Sequence, residues 1–291
     1  HRDMLDPLLN FFDIPVDFDL NLMKPNQSLS ELTQTGLAQI SPILNRLNPK
    51  WVMVQGDTTT TFVGALAAFY NQIPIAHIEA GLRTHNLNEP FPEEMNRQYI
   101  DRISTLLFAP TQRAKDNLLR ENIDEKRIII TGNTGIDSLQ NTIHQIQKSS
   151  ENYEAHFKSF NVNFHTPYIL LTCHRREHFG KPIESILAAI KEIATRNPKT
   201  PIVFPVHLNP FVQDAAKSLK NVDNILCIPP QEYPNFVWLM QHSHIILTDS
   251  GGIQEEAPAL GKPVIVLRNQ TERMESIESN NSLIAGKDPN K

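Results

Sequence analysis

Three carboxylate positions in the first half of the chain could do acid–base chemistry. Asp57 ends the apolar run KWVMVQGD, Glu79 ends IPIAHIE, and Glu93 and Glu94 are adjacent in NEPFPEEMNRQ. Acids brought to one crevice suit proton transfer to and from a bound substrate. Each also has a plainer reading. Asp57 could cap the helix starting near Thr58, and Glu79 could pair with Arg83. With Pro92 in the first helical turn, the helix dipole accounts for one of Glu93 and Glu94. That dipole does not account for three acidic sites converging.

The second half supplies groups for an anion. LLTCHRRE leaves a strand directly into His174, Arg175 and Arg176, a cluster costly in a core but suited to phosphate, and PVHLNP adds His207 at a further strand exit. In LTDSGGIQEEAPALGKPVIVLR, the turn Asp249-Ser250-Gly251-Gly252 opens a helix. Glycines there let backbone N–H groups approach a phosphate at the positive helix end, and Ser250 can cap the helix or donate to the same phosphate. One of Glu255 and Glu256, about a turn later, could accept both hydroxyls of a ribose. Phosphate on the turn and ribose on the acid describe a nucleotide; a well-capped helix with favourable acids is the simpler alternative.

These residues need strands to carry them, and the chain alternates strand and helix throughout. KWVMVQGD, IPIAHIEAG, TLLFAPT and KRIIITGN read as strands, each followed by a helical stretch such as TTTTFVGALAAFYNQ or QRAKDNLLREN. A second set begins at PYILLTCHRRE and continues through TPIVFPVHLNP and NILCIPPQ to the Asp-Ser-Gly-Gly unit. The pattern predicts an α/β fold of parallel sheets covered by helices, with ligands at the carboxyl ends of strands. The polar stretch 149–166 reads in its later part as a linker. Two doubly wound domains, 1–162 and 163–291, follow.

Composition narrows the function. The chain has 291 residues, 40% hydrophobic and 20% charged, with 27 basic and 32 acidic side chains and a net charge of -5. That length holds about two domains, and sequence-independent nucleic-acid binding is disfavoured. No apolar run reaches the roughly 18 residues that span a bilayer. Cys173 and Cys227 form no CxxC pair, so neither a disulfide scaffold nor a zinc knuckle is expected, and cytoplasm is the default location. GxGxxG, GxxxxGK[ST], HExxH and GxSxG patterns are all missing, which lowers the standing of dinucleotide, P-loop, metal and acyl-transfer chemistry.

Taken together, GDTTTT, HIEAGLRT, PFPEEMNR, GNTGIDSL, HRRE, PVHLNP, QEYPNFVWLM and LTDSGGIQEEAPALGKPVIVLRNQTER resemble the non-hydrolysing UDP-N-acetylglucosamine 2-epimerases along nearly the whole chain. The resemblance implies two Rossmann-like domains facing a cleft, as in GT-B glycosyltransferases. It also implies reversible conversion of UDP-GlcNAc to UDP-ManNAc by UDP elimination and re-addition through 2-acetamidoglucal, with no cofactor and no required metal. It casts Asp57, Glu79 and Glu93 as the acid–base set, with His174 near the diphosphate or assisting departure. Gln231 and Phe236 are placed around uracil, Ser250, Gly251 and Gly252 on the phosphates, Glu256 on ribose, and Arg273 close to the nucleotide. Arg175 and His207 fall to phosphate or to a second, activating UDP-GlcNAc, and a homodimer is implied. Which carboxylate takes the C2 proton stays open.

The family pattern includes an amino-terminal strand leading into a Gly-Thr-Arg-Pro-Glu loop and carboxyl-terminal helices that the chain lacks. Both ends therefore read as cut, and an incomplete enzyme is expected. TERMES stands for the commoner Thr-Glu-Arg-Pro-Glu, and Cys173 for a frequent glycine. The rival readings are a GT-B glycosyltransferase, a non-catalytic UDP-sugar-binding fragment or paralogue, and a hydrolysing epimerase.

Overall fold

A computed structural model describes residues 2–24, 26–174, 181–268, 271, 277 and 281–286. The chain forms two compact units, His1–Asn133 and Thr134–Lys291.

The first unit is built on a four-stranded parallel sheet, β1 (Val52–Gln55), β2 (Ile75–Ile78), β3 (Leu106–Ala109) and β4 (Ile128–Ile130), in that spatial order. Helices α1 (Arg2–Phe11) and α2 (Leu29–Leu47) come before it, and α3 (Thr59–Tyr70), α4 (Glu93–Ile103) and α5 (Gln112–Arg120) connect its strands. Local chemistry sets their limits. Ser28 and Glu31 form a capping box at α2, and Thr58 caps α3 by accepting the Thr61 N–H at 3.2 Å. Asp57 is therefore not the cap of α3. One core cluster joins Ala65 and Ala68 of α3 to Ile75 of β2 and Ile100 of α4, which fixes α4 beneath the strand exits.

Gly81, just past β2, has φ +87°, and a Cβ there would stand 2.3 Å from the Ala114 carbonyl oxygen. The β2 exit passes this close to α5 only because the residue is glycine.

The second unit carries a six-stranded parallel sheet: β5 (Ile169–Thr172), β6 (Ile202–Pro205), β7 (Ile225–Ile228), β8 (Ile245–Thr248), β9 (Val264–Val266) and β10 (Ser282–Ile284). Their spatial order, β7-β6-β5-β8-β9-β10, is that of a Rossmann sheet, with its topological switch between β5 and β8. The helices of this unit are α6 (Thr134–Gln147), α7 (Ser150–Lys158), α8 (Lys181–Arg196), α9 (Pro210–Ala216), α10 (Tyr233–His242) and α11 (Gly251–Ala259). The Gly-Lys-Pro after α11 closes a Schellman turn. Gly261 at φ +68° donates to the Pro258 carbonyl at 2.9 Å, and Lys262 to that of Ala257 at 2.9 Å.

The division of the chain differs from the expected one at residue 162. Helices α6 and α7 pack with the second unit: Leu139, Ile146, Phe157 and Val162 share a core with Tyr168, Val237 and Trp238. Tyr153 of α7 stacks on Trp238 with centroids 5.5 Å apart, and Phe164 meets the same indole edge-on at 6.0 Å. The later part of 149–166, expected to be a linker, therefore carries a core aromatic, Phe164, worth more buried against Trp238 than exposed. Among the described residues, no helix is long and apolar enough to cross a membrane.

Candidate active site

In the first unit, two of the expected acids leave neighbouring parallel strands. Gln55 of β1 pairs with Ile78 of β2, so Asp57 and Glu79 follow one another across adjacent exits. The Glu79 carboxylate reaches the β1 exit: a Cβ on Gly56 would lie 3.4 Å from Glu79 Oε2. Glu79 adopts φ +70°, a left-handed backbone that costs a non-glycine residue on the order of 1 kcal/mol and persists where its surroundings enforce it.

Those surroundings are a buried charge network. His77 of β2 contacts the Gly56 carbonyl through Nε2 at 2.8 Å and Asp101 Oδ1 through Nδ1 at 2.7 Å. Asp101 Oδ2 also accepts the Gly81 N–H at 3.1 Å and pairs with Arg83 at 2.7 Å. Arg83 continues to Glu121. Burial resists charging of both His77 and Asp101, yet their mutual contact prevails, raising the His77 pKa and lowering that of Asp101. The backbone on both sides of Glu79 is thereby fastened to α4 and α5.

Asp57 is held from α4. Arg97 reaches Asp57 Oδ2 through NH2 at 2.5 Å and Nε at 3.0 Å, and Asn96 donates to the Asp57 carbonyl at 2.8 Å. The same guanidinium bonds Glu94 Oε2 at 2.9 Å. Glu94 is fully buried, and its carboxylate accepts the Thr84 and His85 N–H groups at 3.0 and 3.1 Å. The two adjacent glutamates thus separate: Glu94 ties a loop to α4, whereas Glu93, the first helical residue after Pro92, is partly exposed. Arg97 and Asn96 escaped the sequence reading. Their signal was there, since positions 93, 96 and 97 share a helix face by i, i+3, i+4 spacing.

In the second unit, His174 follows β5 and Asp249 follows β8, at the topological switch. Fully buried Asp249 accepts the His174 N–H at 2.9 Å, and its Oδ1 stands 3.2 Å from His174 Nδ1. His207, after β6, lays its ring on that of His174 with centroids 5.5 Å apart and planes 22° from parallel. Burial, then the neighbouring His174, lowers the His207 pKa, and its Nδ1 accepts the Asn209 N–H at 3.1 Å.

Ser250 occupies the N-cap of α11 with no side-chain capping bond, and Gly251 and Gly252 form the first turn, so the helix start offers N–H groups to an anion. Glu256 lies on the same helix, with a carboxylate oxygen 3.9 Å from where a Gly252 Cβ would be. Burial pushes its pKa up to about 7, with a Tyr233 hydrogen bond opposing and Glu255 adding. Gln231 just precedes α10; its carbonyl oxygen meets His156 Nε2 at 3.0 Å and its amide donates to Pro229 at 2.7 Å. Phe236 is partly buried against the core. Arg175, Arg176 and Arg273 lie outside the described residues.

A family model described as UDP-N-acetylglucosamine 2-epimerase matches residues 1–291. The UDP-N-acetylglucosamine 2-epimerase of Escherichia coli K12 is 48% identical over 292 residues, covering 99% of this chain and 77% of the relative. The crystal structure of the Neisseria meningitidis UDP-GlcNAc 2-epimerase bound to UDP-GlcNAc superposes with a TM-score of 0.96 at 47% identity, covering 100% of this chain and 78% of that one. The Methanocaldococcus jannaschii enzyme in complex with UDP-GlcNAc and UDP gives 0.89 at 37% identity, covering 99% and 79%. The fold is accordingly GT-B-like, with two Rossmann-like units. At this identity and coverage, the chain belongs to the UDP-N-acetylglucosamine 2-epimerase family of isomerases.

Proposed function

We propose that the chain interconverts UDP-GlcNAc and UDP-ManNAc through the following division of labour. A first-unit carboxylate removes the C2 proton while the C1–oxygen bond to UDP breaks, leaving a C1–C2 double bond in 2-acetamidoglucal. UDP then adds back to C1 as a proton arrives on the opposite face of C2. No net oxidation occurs, so no redox partner is consumed. Asp57, Glu79 and Glu93 serve the sugar, and His174 with the α11 turn supports the departing diphosphate. Gln231 and Phe236 flank uracil, Ser250, Gly251 and Gly252 hold phosphate, and Glu256 takes the ribose. Arg273 completes the nucleotide contacts.

The observation that carries this reading is the placement of Asp57 and Glu79 just past the ends of adjacent parallel strands, with Glu79 in a left-handed backbone. Incubating the chain with UDP-GlcNAc in D2O and following proton NMR tests it. Deuterium at C2 and appearance of UDP-ManNAc are expected. Free UDP with free ManNAc would instead indicate a hydrolysing epimerase, and UDP binding without exchange a binding protein.

The resemblance extends this reading to a homodimer, checked by sedimentation, and to cytoplasmic action, checked by cell fractionation. It also extends to a second UDP-GlcNAc at Arg175 and His207, checked by sigmoidal dependence of rate on UDP-GlcNAc. The His174–His207 stack supports that last assignment, since an occupant beside His207 bears directly on His174.

A further inference from the structure

The position of Asp249 is unusual for a turn residue. It lies between the last residue of β8 and the N-cap of α11, fully buried, where an isolated carboxylate would cost several kcal/mol. The Cys173 thiol hydrogen-bonds to it, and two further contacts fall on His174. Oδ2 takes the His174 backbone N–H at 2.9 Å, and Oδ1 lies 3.2 Å from the His174 ring nitrogen Nδ1, an ion-pair distance that is not aligned as a hydrogen bond. The strands beneath keep that distance. Thr172 and Thr248 are register partners and join their hydroxyls at 2.6 Å, and Ser250 N–H donates to Thr248 Oγ1 at 3.0 Å. His207 then covers one ring face of His174.

We infer that Asp249 is a positioning residue for the reaction, gripping His174 at both its main chain and its ring. The grip keeps the proton on Nδ1 and directs Nε2 outward as the group that meets the diphosphate. It rests on the reading that His174 works there. A carboxylate that accepts Nδ1–H fixes both tautomer and ring orientation, and it stabilises the imidazolium whose Nε2–H faces the leaving phosphate. A purely structural Asp249 would need only an oxygen for the His174 N–H, which asparagine supplies equally well.

That difference sets the test. In UDP-bound protein carrying 15N-labelled histidine, long-range proton–nitrogen spectra should show His174 with Nδ1 protonated. Asp249→Asn should abolish that preference and lower kcat by between about 10- and 1,000-fold. KM and the Kd for UDP should stay within about 3-fold. Adding Asp249→Asn to His174→Gln should lower kcat little further, because the two act as one unit. Wild-type kcat in Asp249→Asn, an unchanged tautomer, or full additivity with His174→Gln would each overturn the inference. If Asp249→Asn does not fold, the wild-type spectrum decides alone, and a bare Nδ1 overturns it. Full turnover in His174→Gln would instead remove the role given to His174, while the spectrum still reads the Asp249 grip.

Discussion

At the scale of single residues, the candidate carboxylates of each unit stand in different environments. Asp57 is paired with Arg97, Glu94 is consumed by loop N–H groups, and Glu256 is partly buried beside Tyr233 and Glu255. A pH dependence follows for the nucleotide. Burial raises the folded-state pKa of Glu256 to about 7, so its contribution to stability is fully present below the ordinary glutamate range and is lost as pH rises through 7. Ribose hydroxyls reward the opposite state, since they donate to an ionised carboxylate. UDP binding should therefore tighten between pH 6 and 8, as measured by calorimetry. Glu256→Gln should bind UDP more weakly and retain only the ligand's own titration, while its ligand-free Tm at pH 8 rises by a few degrees. An unchanged pH profile in that variant would remove Glu256 from the ribose. Such environments were hard to read from sequence. The acids themselves stood out in GDTTTT, HIEAGLRT, PFPEEMNR and DSGGIQEE, but Asp57 meets Arg97 from 40 positions away and Glu256 meets Tyr233 from the preceding helix, and only folding joins them.

At the scale of elements, α4 is the platform of the first unit. It begins with Glu93, clamps Asp57 through Asn96 and Arg97, anchors the 84–85 loop through Glu94, and fastens the β2 exit through Asp101. One helix therefore sets the spacing of all three proposed acids, and its own place is fixed by Ile100 in the core. Arg97→Lys tests this. Lysine keeps the charge but cannot span Asp57 and Glu94 with a planar fork, so kcat should fall by about 10- to 100-fold with UDP affinity unchanged. Steady-state kinetics alongside UDP calorimetry would show it; parallel loss of both would mean that Arg97 holds the fold rather than the acid. The strands and most helices were legible in the sequence, because apolar runs ending in Gly-Asp, Glu-Ala-Gly or Asp-Ser-Gly-Gly mark strand exits plainly. The use of α4 was not. Its buried face is charged, with Glu94, Asn96, Arg97 and Asp101 nearly inaccessible, so the hydrophobic periodicity that betrays a helix's inner face is inverted there.

At the scale of the whole chain, the compact units divide at Asn133–Thr134, whereas the sequence pattern places the boundary at residue 162. The later part of the polar stretch 149–166 resembles a linker in composition, but its Phe160 and Phe164 pack against the core that holds Trp238 of α10, a tertiary fact that composition does not carry. The physical consequence concerns which segments open together. A ligand that binds only the native second unit adds RT ln(1 + [L]/Kd) to its opening free energy, about 2.7 kcal/mol at 100 times Kd. With α6 and α7 in that unit's core, UDP at that excess should slow amide exchange in residues 134–158 by nearly the same factor as in the sheet strands β5 and β8, up to about 100-fold where exchange requires the whole unit to open. Hydrogen exchange read by mass spectrometry with and without UDP distinguishes the two divisions. If UDP protects β8 and α11 while 134–158 exchange as before, those helices open independently of the nucleotide-binding core, and the boundary belongs near residue 162 after all.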